Sequence, residues 1–120
     1  MSCEVKQLVL SPVLTTRCNL RCNYCGYGCS SKNSNFDADP EKVIKGFAHL
    51  HSLKEKYKGD YTILLGLLGG EPLLYPHLID VMSYVHDHLP SFNRDIVTNG
   101  LMAPKMSNRL IDAILANDYQ

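Results

Sequence analysis

The sequence has no surplus charge of either sign: twelve Lys and Arg balance twelve Asp and Glu along 120 residues. A balanced chain offers no basic footprint for nucleic acid or for an anionic membrane. The densest charge run, KEKYKGD from Lys54 to Asp60, reads as a solvated helix end whose lysines suit the negative pole of the helix dipole. No apolar run approaches the roughly 20 residues that span a bilayer. The opening MSCEVKQLVL lacks the basic start, long apolar stretch and small-residue cleavage site of a secretory signal. Internal repeats and low-complexity linkers are absent, as are H-E-x-x-H, G-x-S-x-G and a complete P-loop. The expectation from these absences is a cytoplasmic protein that engages neither membrane nor nucleic acid.

Cysteine, by contrast, is concentrated in one place. Four of the five cysteines fall in TTRCNLRCNYCGYGC, at Cys18, Cys22, Cys25 and Cys29. In a reducing compartment, clustered thiols favour metal or redox chemistry over disulfides, and an odd total fits a closed set of bridges poorly. Cys18, Cys22 and Cys25 are spaced C-x3-C-x2-C. Three thiolates on one loop can hold three irons of a [4Fe-4S] cluster, whereas a fully protein-ligated cluster takes four. The remaining iron would keep coordination positions open for a small molecule. Arg17 and Arg21 are placed to offset negative charge on a cluster and on a bound carboxylate. The competing reading is a structural zinc site with Cys29 as fourth ligand. Structural zinc sites more often draw on two ligand pairs set well apart, so iron–sulfur ranks ahead of zinc, and disulfides come third. Cys3 reads as a free N-terminal thiol.

Around this segment, strand-like and helix-like patterns alternate. Gln7 to Leu14 (QLVLSPVL) is β-rich and apolar. Asp39-Pro40 reads as a helix start, with Asp as N-cap and Pro in the first turn, and Val43, Phe47 and Leu50 recur behind it at helical spacing. Tyr61 to Leu68 (YTILLGLL) is the near-continuous apolar run of a strand covered on both faces. Leu78, Met82, Val85 and Leu89 mark a second helix that Pro90 ends. Asp95 to Val97 forms a third strand, and Leu110, Ile111, Ile114 and Leu115 a third helix. This βα-βα-βα order implies an α/β fold with a parallel sheet and right-handed crossovers. One motif follows each strand: the cysteines, then Gly69-Gly70-Glu71-Pro72, then Thr98-Asn99-Gly100. Sites of barrel-like and open α/β sheets sit on that edge.

Gly69 and Gly70 allow a backbone edge to approach a ligand without side-chain obstruction. Glu71 could pair with an ammonium group, and taken without the cysteines reads as an exposed loop carboxylate. Thr98 and Asn99 could offer polar contacts to a ligand, although T-N-G is equally ordinary turn chemistry. His49 and His51, and His86 and His88, lie two apart and share no helix face; with His77 they read as surface residues.

With C-x3-C-x2-C, an aromatic Tyr24 just before the third cysteine, GGEP and TNG in this order, the chain resembles the radical S-adenosylmethionine (radical SAM) superfamily from about Gln7 to the last helix. The resemblance implies that Cys18, Cys22 and Cys25 ligate three irons of a [4Fe-4S] cluster, with the amino and carboxylate groups of SAM on the fourth. It implies further that Gly69 to Glu71, with Pro72 completing the motif, help hold the SAM amino group, that Tyr24 lies near the adenine, and that Thr98 and Asn99 belong to the SAM site. An electron donor would reduce the cluster, and SAM would be cleaved to methionine and a 5′-deoxyadenosyl radical that abstracts hydrogen from a substrate. Cys29 would be a bystander, since capping the open iron would block SAM. The competing class is a non-catalytic iron–sulfur or zinc module that uses all four cysteines. The substrate is not readable; the motif style resembles members that modify peptides or make cofactors.

The implied fold is a partial (β/α) TIM-like barrel. An eight-unit barrel runs to about 250 residues, roughly 31 per unit, so residues 1–120 amount to the N-terminal portion of one core domain, three βα units and a long cluster loop. The expectation is a truncated barrel whose open sheet edge is covered by a partner chain or by a missing C-terminal half.

Overall fold

The computed structural model of the chain describes residues 4, 6–26, 36–101 and 107–116. Its elements are β1 (Gln7–Leu10), α1 (Pro40–Lys56), β2 (Thr62–Leu67), a 3-10 turn (Pro72–Leu74), α2 (Leu78–His88), β3 (Asn93–Ile96) and α3 (Asn108–Ala116). The strands form one sheet in the order β1-β2-β3. Both pairings are parallel, with Val9 opposite Leu64 and Gly66 opposite Asp95. This is the expected α/β arrangement of three consecutive βα units, as in a partial barrel.

Local chemistry accounts for the element ends. β1 stops at Leu10, short of the expected Leu14, because Pro12 brings no N–H to a ladder; the chain rejoins β2 at an isolated bridge between Val13 and Leu68. Asp39 is the N-cap of α1, with extended backbone and a side chain that accepts from Glu41 N at 3.0 Å. Pro40 follows at the first helical position, where its missing N–H costs nothing. Lys54 and Lys56 occupy the last turn of α1, as the charge run predicts. Leu89 closes α2 before Pro90.

The core lies on one face of the sheet. Ile63, Leu65 and Leu67 alternate along β2 and bury their side chains against Phe47 of α1 and Leu78, Val81, Met82 and Val85 of α2. Truncating a residue such as Leu65 to alanine costs about 2–5 kcal/mol at sites of this kind. Leu110 and Ile114 of α3 pack on the same cluster, while Ile111 and Leu115 on that helix are exposed. The expectation that β2 is covered on both faces holds on the helix side alone. Leu64 and Leu68 on the opposite side are half-buried, and their neighbours Val9 and Val97 are exposed.

The histidines do not gather. His86 and His88 are exposed, whereas His51 is half-buried with its ring centroid 6.0 Å from that of Phe92, so it is less superficial than its spacing suggests. Among the described residues, no helix is long and apolar enough to cross a membrane.

Candidate functional site

The three motifs meet at the C-terminal edge of the sheet. A cleft of about 450 Å³ is lined by Cys18, Cys22 and Cys25 from the first loop, Gly69 to Glu71 from the second, and Thr98 and Asn99 from the third. Tyr24 stands at its margin, 90% exposed. Pro72, by contrast, is buried at the start of the 3-10 turn and shapes the loop from behind. A larger hollow of about 590 Å³ opens toward the N-terminal ends of the strands, between Gln7, Asn93 and Asp95. It is lined by no thiol, whereas the smaller cleft is lined by three.

The cysteine loop leaves the sheet after Leu14 and returns at Phe36, and its base is cinched by hydrogen bonds. Thr16 N donates to Phe36 O at 2.9 Å, Phe36 N donates to Thr16 Oγ1 at 2.8 Å, and Ala38 N donates to Leu14 O at 2.8 Å. Buried Thr15 donates through Oγ1 to Asp37 Oδ1 at 2.7 Å and accepts from Arg17 N at 3.0 Å. Arg17 adds an ion pair to Asp37 at 2.9 Å, worth about 0.2–1 kcal/mol for a partly exposed pair. Arg21 donates to the carbonyls of Cys18 and Leu20 at 2.8 and 3.1 Å. Both arginines that the sequence places near the thiols therefore brace the loop.

None of Cys18, Cys22 and Cys25 is in a disulfide, and all three are half-buried in the cleft. Leu20 N points at Cys18 Sγ, 3.4 Å away, the kind of N–H···S contact that tunes a metal-bound thiolate. Among the described residues, no three His, Cys, Asp or Glu side chains are grouped closely enough to hold one ion. A [4Fe-4S] cluster makes no such demand, because each thiolate binds a different iron. The donor set is three soft thiolates on one loop beside an open cleft, and it fits the cluster. Cys29, the fourth ligand in the zinc reading, lies outside the described residues.

The glycines serve the chain before they serve any ligand. Gly69 has φ 139°, and a Cβ there would run into the carbonyl of Thr15. A Cβ on Gly70 would strike the Arg17 carbonyl. This close approach lets Gly70 N donate to Thr15 O and Glu71 N to Arg17 O, both at 2.7 Å. The second loop is thereby laced to the base of the cysteine loop.

Glu71 is 1% exposed, not the surface carboxylate of the simpler reading. Its Oε1 accepts from Thr98 Oγ1 at 2.6 Å and Leu73 N at 3.2 Å, and its Oε2 accepts from Asn99 N at 3.0 Å. Asn99 in turn donates through Nδ2 to Asn19 Oδ1 at 2.8 Å. Asn19, between the first two cysteines, was not marked out by any motif; its only sequence signal is an amide side chain inside the cysteine spacing. Tyr75 ties the same region to α1 through a 2.7 Å hydrogen bond from its hydroxyl to Ala38 O. Burial first, then the carboxylates of Asp37, Asp39 and Asp80, raise that hydroxyl's pKa above its ordinary value of 10.0.

Comparison with known proteins finds relatives for the chain that carries this site. The chain is 28% identical over 100 residues to a GTP 3′,8-cyclase of Sulfurovum sp. (strain NBC37-1), a match covering 83% of this chain and 29% of the relative. It is 29% identical over 100 residues to a GTP 3′,8-cyclase of Nautilia profundicola, covering 83% and 30% of the two chains. Molybdenum cofactor biosynthesis protein 1 of Mus musculus is 26% identical over 100 residues, covering 83% of this chain and 15% of its own. The chain thus spans less than a third of the length of these relatives. The family model described as the radical SAM superfamily matches residues 13–118, a span that takes in the cysteine loop, both later motifs and all of α3, and the chain belongs to that superfamily.

Proposed function

We propose that the chain is the N-terminal part of a radical SAM enzyme core, with Cys18, Cys22 and Cys25 holding a [4Fe-4S] cluster whose fourth iron takes SAM. The observation that carries this reading is the convergence of three thiols, the GGEP loop and the TNG turn on one cleft. Together the two cofactors supply one chemistry, reductive cleavage of a sulfonium bond to methionine and a 5′-deoxyadenosyl radical for hydrogen abstraction.

The chain's own residues do the positioning. The cinched base between residues 14–16 and 36–38 fixes where the thiols stand. The N–H groups of Gly70 and Glu71 are taken by Thr15 O and Arg17 O, and the Glu71 carbonyl accepts from Leu74 N, so the carbonyls of Gly69 and Gly70 are the ones that would meet the SAM ammonium group, while the Glu71 side chain holds the loop's shape. Exposed Tyr24 offers a ring face to the adenine, and the Thr98-Asn99 turn closes the third side. The half-open sheet face with Val9 and Val97 leaves room for further barrel units or a partner chain to cover the cleft.

For the substrate, the names of the relatives, GTP 3′,8-cyclases, make a purine nucleoside triphosphate the first compound to test, ahead of a peptide. The test of the reaction is formation of 5′-deoxyadenosine from SAM by the anaerobically reconstituted protein under a strong reductant. Product that needs all three of Cys18, Cys22 and Cys25 supports the reading. A protein that loads zinc through four cysteines and never cleaves SAM would replace it with the non-catalytic module.

A further inference from the structure

Three loops from three strands build the cleft, and one side-chain contact joins the outermost two. Asn99 Nδ2 donates to Asn19 Oδ1 at 2.8 Å across 80 positions of sequence. Asn99 is itself held: its backbone N–H is on Glu71 Oε2 at 3.0 Å, and its Oδ1 accepts from Leu101 N at 2.9 Å. Glu71 is buried, so this anchor is fixed to the end of β2. Asn19 is exposed and sits one residue after Cys18. The path Glu71–Asn99–Asn19 therefore runs from a buried carboxylate to the thiol-bearing loop.

We infer that Asn99 and Asn19 are positioning residues, which hold the thiol loop at a set distance from the GGEP and TNG loops and so set how well SAM spans the gap between them. The inference rests on the proposed SAM site, which Asn99 lines and Asn19 does not, and it assigns Asn19 a role that needs no contact with SAM. The thiols themselves are carried by the loop and its cinched base, far from dependence on this one bond. Cluster loading and SAM binding should consequently separate: breaking the tie leaves the first and weakens the second.

The test uses Asn19→Ala, which removes the acceptor at an exposed position, Asn99→Ala, which removes the donor together with the oxygen that holds Leu101 N, and Asn19→Asp, which keeps an oxygen facing Asn99 Nδ2. Two quantities are read. One is amide hydrogen exchange across Cys18 to Gly26 in the metal-free chain; the other is the SAM concentration that half-saturates the change in the EPR signal of the reduced, reconstituted protein. Asn19→Ala and Asn99→Ala are expected to keep full iron content, to exchange about fivefold faster in that segment, and to need about fivefold more SAM, the size of one ordinary hydrogen bond. Asn19→Asp is expected to match the wild type in both. An Asn19→Ala protein equal to wild type in both readouts overturns the inference, and so does an Asn19→Asp protein that behaves like Asn19→Ala. A wild-type protein whose cluster ignores SAM overturns the proposed SAM site, and with it the SAM-positioning role; the exchange data then still report on the loop tie alone.

Discussion

Glu71 and Asn99 are joined by a 3.0 Å hydrogen bond from the backbone of one to the carboxylate of the other, and the turn after β3 hangs from that buried group. Thr98 reinforces it at 2.6 Å on the second oxygen. The last two motifs in the chain are in this sense one structural unit.

Removing the carboxylate should expose that unity. Glu71→Ala leaves the N–H groups of Leu73 and Asn99 and the Thr98 hydroxyl without their acceptor, at a cost of about 1–3 kcal/mol for each group that stays buried. Glu71→Gln retains one acceptor oxygen and should fall between the two. Urea denaturation of the three proteins checks the order; an unchanged midpoint for Glu71→Ala would show that the loops are held by other contacts.

The thiols should divide cleanly. Cys18→Ala, Cys22→Ala and Cys25→Ala should each abolish cluster binding, and Cys29→Ala should leave it intact, as iron and sulfide analysis after anaerobic reconstitution will report. Full iron loading in any of the first three would refute the ligand assignment. Loss of the cluster in Cys29→Ala would mean four-cysteine ligation and no open iron.

Gly70→Ala addresses the lacing between loops. The new methyl would meet the Arg17 carbonyl, so either the backbone shifts or the hydrogen bond from Glu71 N to Arg17 O is lost. Destabilisation of about 1–3 kcal/mol is expected, the usual range for overpacking, together with weaker cluster retention because the base of the thiol loop moves. The thermal midpoint and iron content of the variant check both parts. Gly46 has open space around its Cβ position, so Gly46→Ala is the control that should leave iron content unchanged.

Tyr75 gives the fold a signature at alkaline pH. Its hydroxyl pKa is raised above 10.0 by burial and then by the nearby carboxylates, so the native state favours the protonated form. That contribution is full below the unfolded value and is lost as pH rises through it toward the folded value. Stability of the wild type should therefore fall above about pH 10. Tyr75→Phe should cost about 1 kcal/mol at neutral pH through loss of the bond to Ala38 O, and should show a shallower alkaline limb. Equal alkaline slopes in the two proteins would remove Tyr75 as the titrating group.

Much of this organisation was legible in the residues themselves. The Asp39-Pro40 pair marks the start of α1 because capping is local chemistry, and the three motifs share an edge because parallel βα units force every strand to end on the same side. What sequence could not convey is which groups satisfy one another across space. Glu71 reads as a ligand contact or a surface charge, and the third option, a carboxylate buried by donors from a loop 27 positions away, has no local pattern. The glycines read as places where the backbone approaches a ligand, and the approach that the structure shows is to the backbone of Thr15 to Arg17. Asn19 was invisible because a lone amide in a loop carries no periodicity. The apolar run of β2 suggests two covered faces, yet run length reports hydrophobicity and not what lies opposite; Leu64 and Leu68 remain half-buried.

The most direct measurement is EPR of the anaerobically reconstituted, reduced protein recorded with and without SAM. A [4Fe-4S] signal that depends on Cys18, Cys22 and Cys25 and changes on adding SAM is the predicted result, because only an iron left open by a three-cysteine loop can take the ligand. A cluster signal indifferent to SAM, or a protein that binds zinc tightly and gives no cluster, would contradict it.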